Sequence, residues 1–84
     1  MKTLYIYSSN SCQNCQKAKS FLIENDVPHK VIDLNRNPEH RNWLRRAGHT
    51  SLPVMLVDNT DLLVPGGYNS LRTMRREEII ERLI

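Results

Sequence analysis

KTLYIYSSNSCQNCQKAKSFLIEND, residues Lys2–Asp26, runs from a strand pattern through a polar loop into a helix pattern, with two cysteines where loop and helix meet. Lys2–Tyr7 is rich in aromatic and β-branched residues, which suit a pleated surface, and is short enough for a buried strand. Ser8–Ser11 is a polar loop. From about Gln13 to Asn25 the residues Cys15, Ala18, Phe21 and Leu22 recur at steps of three and four, which places them on one helix face. Asn25, Asp26 and Pro28 then stop the helix.

Downstream, His29–Leu34 alternates weakly and predicts a second strand. A strand, a helix and a strand in succession demand a parallel pair, almost always with a right-handed crossover. The next helix is delimited by Asn37 as N-cap, Pro38 at the first helical position and Gly48 just past the end, with Trp43, Leu44 and Ala47 as its apolar face. Pro53–Val57 and Leu62–Val64 predict a hairpin around the turn-forming Asp58–Asp61, and Pro65-Gly66-Gly67 predicts a further turn. The C-terminal segment is helical from somewhere between Asn69 and Met74, with Ile79, Ile80 and Leu83 facing inward; the five-residue step from Met74 to Ile79 breaks the period and leaves its start open. The order β-α-β-α-β-β-α, with a four-stranded mixed sheet, resembles a minimal thioredoxin-like α/β layout.

Composition sets the bounds. Eighty-four residues predict one domain over 1–84. A chain of this size buries roughly 60–65% of the surface that its unfolded form exposes. With 39% hydrophobic and 25% charged residues it reads as globular. No apolar run approaches the roughly 20 residues of a membrane span, and the apolar stretch near the N-terminus is shorter than the roughly 7–15 of a signal peptide. The expected location is therefore the cytoplasm, with no membrane partner. The net charge of +3 divides evenly, +2 over residues 1–42 and +1 over 43–84, and aromatics make up 6%. That pattern predicts no nucleic-acid partner, and the clusters Arg41, Arg45, Arg46 and Arg72, Arg75, Arg76 read as solvated helix faces.

The two cysteines, Cys12 and Cys15, form one CxxC and cannot bridge distant segments, so they point to redox chemistry or metal binding. At a helix start, unpaired N–H groups and the positive end of the helix dipole favour thiolate at Cys12, below the roughly 8.5 of a free cysteine. Cys15 lies one helical step inward on the apolar face. These positions assign Cys12 as nucleophile and Cys15 as resolving thiol. Zinc would need two further ligands, and His29, His40 and His49 have spacings unlike those of zinc sites. A cluster shared between subunits through Cys12 is the other metal chemistry such a pair can serve.

The combination of strand–YSSNSCQNC–helix, SLP at residues 51–53 and GGY at 66–68 resembles the glutaredoxin family along nearly the whole chain. The resemblance implies a cis Leu52–Pro53 bond beside the sulfurs, with the backbone of Leu52 free to pair with an extended cysteine-containing substrate. It implies substrate contacts from Gln13, Asn14, Ser51, Leu52, Pro53, Gly66, Gly67, Tyr68 and Asn69. It also implies a monomer without bound cofactor that reduces disulfide-containing proteins or glutathione mixed disulfides, with glutathione as electron donor. Three sites, five residues in all, depart from the family pattern. Gln13-Asn14 stands where CPYC is typical, Ser9 where a lysine is typical, and Asn69-Ser70 where an acidic residue often follows the glycines. CQNC is nearer in polarity to the CVQC-like pair of ribonucleotide-reductase-associated redoxins, which take electrons from thioredoxin reductase. Their arginine-proline-aspartate run is absent, so either electron donor stays open. Arg45, Arg46 and His49 are expected to approach the Ser51–Pro53 loop.

Overall fold

The computed structural model describes all 84 residues, Met1–Ile84. Strand β1 (Leu4–Ser8) leads to helix α1 (Gln13–Glu24), strand β2 (Lys30–Asp33) and helix α2 (Pro38–Arg46). Strands β3 (Val54–Val57) and β4 (Asp61–Leu62) follow, then helices α3 (Gly67–Leu71) and α4 (Arg76–Leu83). The sheet order is β2-β1-β3-β4, with β1 parallel to β2 and antiparallel to β3, and β4 antiparallel to β3.

Alternation along the strands divides the core into two layers. Leu4 and Ile6 of β1 and Met55 and Val57 of β3 pack with Ala18 and Leu22 of α1, Leu71 of α3, and Ile79 and Leu83 of α4. On the other face Tyr7, Val54 and Leu56 pack with Leu34 and with Leu44 of α2, and Tyr5, Ile32 and Trp43 close the edge. The Tyr7 hydroxyl donates to Asn59 Oδ1, and its ring meets Trp43 edge-on at 5.6 Å between centroids. Trp43 Nε1 in turn donates to His40 Nδ1 at 2.9 Å. No helix is long and apolar enough to cross a membrane.

The C-termini of α1 and α2 close in the same way. After α2, Gly48 at φ +93° sends its N–H to Arg45 O, and His49 N–H reaches Leu44 O. After α1, Asp26 at φ +53° sends its N–H to Ile23 O, and Val27 N–H reaches Leu22 O. Both are Schellman closures, the second with an aspartate where glycine is favoured. Val27 is buried in the same cluster as Leu22, the apolar contact that accompanies this motif.

Several boundaries differ from the sequence reading. β2 is shorter, Lys30–Asp33, because Leu34 turns inward after its N–H bonds Ser8 O. β4 is Asp61–Leu62, not Leu62–Val64, because the turn closes over Asp58, Asn59 and Thr60, with positive φ at the first two. Asn37 stands at the N-cap of α2 but does not cap it; its Nδ2 donates back to Asp33 O at 2.9 Å. Ala47 is exposed rather than apolar-facing. The C-terminal region is two helices, so the order is β-α-β-α-β-β-α-α. The broken period from Met74 to Ile79 is the break between them, and Ile80 is only partly buried.

Two outcomes follow. Asp26→Gly removes the cost of holding a side chain in left-handed backbone and should raise stability by about 0.5–1 kcal/mol in urea unfolding. Burial, and secondarily repulsion from Tyr5, pushes the Tyr7 phenol above its ordinary value of 10.0. The neutral phenol is therefore the form the fold prefers, so this stability is complete below pH about 10 and is lost as pH rises through the raised pKa. Tyr7→Phe should lower stability at neutral pH and give a flatter fall above about pH 10.

Candidate functional site

The parallel β1–β2 pairing is carried one residue beyond the strands by the bond from Leu34 N–H to Ser8 O, at 2.9 Å. The chain then turns through Ser9–Ser11, held by Asn10 N–H on Asn35 Oδ1 and by Cys12 N–H on Ser9 O. Cys12 is the N-cap of α1 in extended backbone, and its Sγ accepts the N–H of Cys15 at 3.1 Å. A helix start leaves such N–H groups without intrahelical partners, so sulfur takes the place that a serine or aspartate oxygen usually fills. Cys12 and Cys15 are joined as a disulfide with Cα atoms 5.2 Å apart. Cys12 is partly exposed, Cys15 is fully buried, and Gln13 and Asn14 between them are exposed. The pair can therefore exchange electrons through one accessible sulfur and one shielded sulfur.

β3 pairs with β1 so that Val54 lies opposite Tyr7. Pro53, one residue earlier, is thereby set at the end of the sheet from which the cysteine loop emerges. The Leu52–Pro53 peptide is cis, and neither N–H nor C=O of Leu52 bonds the rest of the chain. The glycine pair abuts this turn: a Cβ on Gly67 would stand 3.6 Å from Pro53 O. Gly66 and Gly67 have φ of +92° and +61°, and Gly66 caps α3 instead of sitting in an isolated turn. A hollow of about 140 Å³ between these segments is lined by His49, Thr50, Ser51, Pro53, Gly66 and Gly67, with Gly48, Val54, Leu62 and Val64. Tyr68 and Asn69 are not brought into it. Tyr68 packs on the core and borders Gln16, Lys17 and Phe21 of α1, and Asn69 is exposed.

On the other side of Leu52 lies a larger groove of about 500 Å³, lined by Ser9, Leu34, Arg41, Leu44, Arg45, His49, Thr50 and Leu52. Arg45 and His49 stand here as the sequence suggested, whereas Arg41 takes the place expected for Arg46. The i,i+4 spacing of Arg41 and Arg45 was the available signal, since it puts both on one helix face. Of the histidines considered as metal ligands, His29 bonds Val27 O and His40 Nδ1 accepts a hydrogen bond from the Trp43 indole N–H. No three His, Cys, Asp or Glu side chains gather as a metal-binding group.

A mixed four-stranded sheet with a cysteine pair opening its first helix and a cis-proline turn beside the same sheet end defines a thioredoxin-like redox protein. The family model for glutaredoxin matches residues 4–62. Glutaredoxin 1 of Rickettsia felis is 26% identical over 87 residues, covering 100% of this chain and 82% of that protein. The glutaredoxin-like protein NrdH of Lactococcus lactis is 28% identical over 54 residues, covering 64% of this chain and 75% of its own. The solved structure of the glutaredoxin-like protein NrdH-redoxin from Escherichia coli superposes with a TM-score of 0.66 at 25% identity, over 87% of this chain and 99% of that one. The chain belongs to the glutaredoxin family, and it is a redox protein of that family.

Gly66 tests how strictly the turn is built. A Cβ there would clash with Ser70 Oγ, on a backbone that side chains rarely adopt. Gly66→Ala should cost about 1–2 kcal/mol or more in thermal or urea unfolding. Adding Ser70→Ala should recover only the steric part and leave the backbone cost.

Proposed function

We propose that the chain reduces protein disulfides or glutathione mixed disulfides by thiol–disulfide exchange, with Cys12 as nucleophile and Cys15 as resolving thiol. The observation that carries this reading is the asymmetry of the pair: one partly exposed sulfur capped by a helix N–H, one sulfur buried three residues inward. In the reduced protein the Cys15 N–H and the helix dipole favour charge on the Cys12 sulfur. The Cys12 thiolate attacks one sulfur of the substrate disulfide, forming a mixed disulfide and releasing the other sulfur as thiolate. The Cys15 thiolate then attacks Cys12 Sγ, closing the Cys12–Cys15 disulfide and expelling the reduced substrate with both electrons. The unpaired backbone of Leu52 beside Pro53 suits an extended substrate strand, and Ser51, Gly66 and Gly67 offer close backbone approach on one flank. Gln13 and Asn14, exposed between the sulfurs, would meet the substrate's leaving side.

The exchange needs no bound cofactor. Two electrons return from glutathione, and residues 1–84 act as one monomeric unit in a reducing cytoplasm. A second reading takes the electrons from thioredoxin reductase instead. It is supported by the likeness to the Escherichia coli NrdH-redoxin, a protein with a thioredoxin-like activity profile, and by Ser9 and Gln13-Asn14 at positions where glutathione-dependent members differ.

NADPH consumption with a disulfide substrate, coupled once to glutathione and glutathione reductase and once to thioredoxin reductase, separates the two donors. In whichever coupling is active, Cys12→Ser should abolish turnover, and Cys15→Ser should accumulate a mixed disulfide on Cys12 visible by intact mass. Full disulfide reduction by Cys12→Ser would overturn the assignment of roles.

A further inference from the structure

We infer that the outer edge of β2 pairs with the same edge of a second copy of this chain, antiparallel, about a two-fold axis through Val31. The two edges of the sheet are not alike. β4 is two residues long, and Arg82 donates to the carbonyl oxygens of Leu62 and Leu63, so little of that edge is left to pair. β2 forms the opposite edge and bonds only β1. Lys30 and Val31 on it are exposed, Val31 to 46%. A free strand edge presents unpaired N–H and C=O groups to any strand that matches it.

The backbone sets the register. Successive residues of a strand turn their N–H and C=O groups to alternate sides. Leu34 N–H bonds Ser8 O, so Ile32 and Lys30 also face β1, while Val31 and Asp33 face outward. The Asp33 carbonyl is already taken, by the backbone N–H groups of Arg36 and Asn37 and by Asn37 Nδ2. Val31 is thus the one residue of β2 whose outward N–H and C=O are both unbonded. A two-fold pair satisfies both by setting Val31 opposite Val31 of the second copy, each N–H meeting the other's carbonyl. The same register sets Asp33 opposite His29 of the second copy, once at each end of the pairing. His29 uses Nδ1 on Val27 O and leaves Nε2 unbonded. The edge is therefore complementary to itself, apolar at the axis and acid against imidazole on both flanks.

The side chains agree with the backbone. Ile32 packs in the α2 layer, so Val31 projects to the α1 side of the sheet. On that side Ile23 of α1, 66% exposed, lines a hollow of about 390 Å³ with Pro28 and His29, which lead into β2. Apart from the terminal Met1 and Ile84 and from Leu62 of β4, Ile23 and Val31 are the large exposed apolar side chains of the chain. The pairing is closed, because it consumes both β2 edges and leaves only the β4 edges that Arg82 guards. β1 stands between this edge and β3, so each copy keeps its own Leu52–Pro53 turn, and the exchange unit remains the single chain. A four-residue edge lies at the weak end of protein interfaces, so pairs form as concentration rises.

Sedimentation of the full chain should show an average mass rising from one chain toward two between about 10 μM and 1 mM, the affinity range of a small interface. Over the same range the Val31 amide should exchange with solvent more slowly, read by NMR. Val31→Lys and Val31→Glu each set like charges directly opposite one another at the axis, and each alone should stay a single chain. An equimolar mixture of the two should pair, because residue 31 then meets the opposite charge. A wild-type protein that remains one chain at the highest concentration overturns the inference. So does a Val31→Lys protein that pairs as the wild type does, which would place the interface elsewhere. A mixture that stays single while the wild type pairs would remove the two-fold register through Val31.

Discussion

Strand β1 is bonded along both edges and buried on both faces, and the site depends on that confinement. Its backbone pairs with β2 on one side and β3 on the other, while Leu4 and Ile6 fill one core and Tyr7 the other. Each buried aliphatic side chain contributes about 1.5–3 kcal/mol, a large share of the stability open to 84 residues. A strand so held delivers its C-terminal end to a defined place, and everything reactive in the protein is hung from that end. The cysteine loop leaves it directly. The Leu52–Pro53 turn reaches it through the antiparallel register of β3, and the carbonyl of Ser8 ties the exit of β2 to it.

Helix α1 converts that position into chemistry. Cys15, Ala18 and Leu22 lie on its buried face, so the helix seats against the sheet from its first turn. Burial of Cys15 leaves Cys12 at the cap, partly exposed and facing the helix N–H groups. The same periodicity that stabilises the helix thus divides two chemically identical residues into an accessible sulfur and a protected one. Around this pair the surface is asymmetric. The glycine side offers backbone and a small hollow, whereas the α2 side offers arginines and an apolar floor.

Much of this was legible in the residues themselves. Local patterns speak for local structure: the helical spacing of Cys15, Ala18 and Leu22, the Pro38 start and Gly48 stop of α2, and the turn residues Asp58 and Asn59 all act through bonds within a few positions. So did the family motif, since CQNC, SLP and GGY stand at intervals that survive low overall identity. Expectation and structure part where a competing partner or the shortness of an element overrides the pattern. Asn37 has the chemistry of a cap, but its amide finds the carbonyl of Asp33 instead. Leu34 extends the strand pattern, yet the inner core takes it out of β2. Gly66 and Gly67 read as a turn because five-residue helices carry too little periodicity to register.

By itself the sequence determined the order of the first six elements, the cysteine pair at the head of a helix and the glutaredoxin family, because each is encoded in short-range spacing. Only the tertiary structure decided that Arg41 rather than Arg46 joins Arg45 and His49 beside Leu52, and that Tyr68 turns to α1 while Gly67 meets Pro53. Those neighbours come from different elements. Their meeting is set by how α2 and α3 pack on the two faces of the sheet, a relation that no local pattern contains.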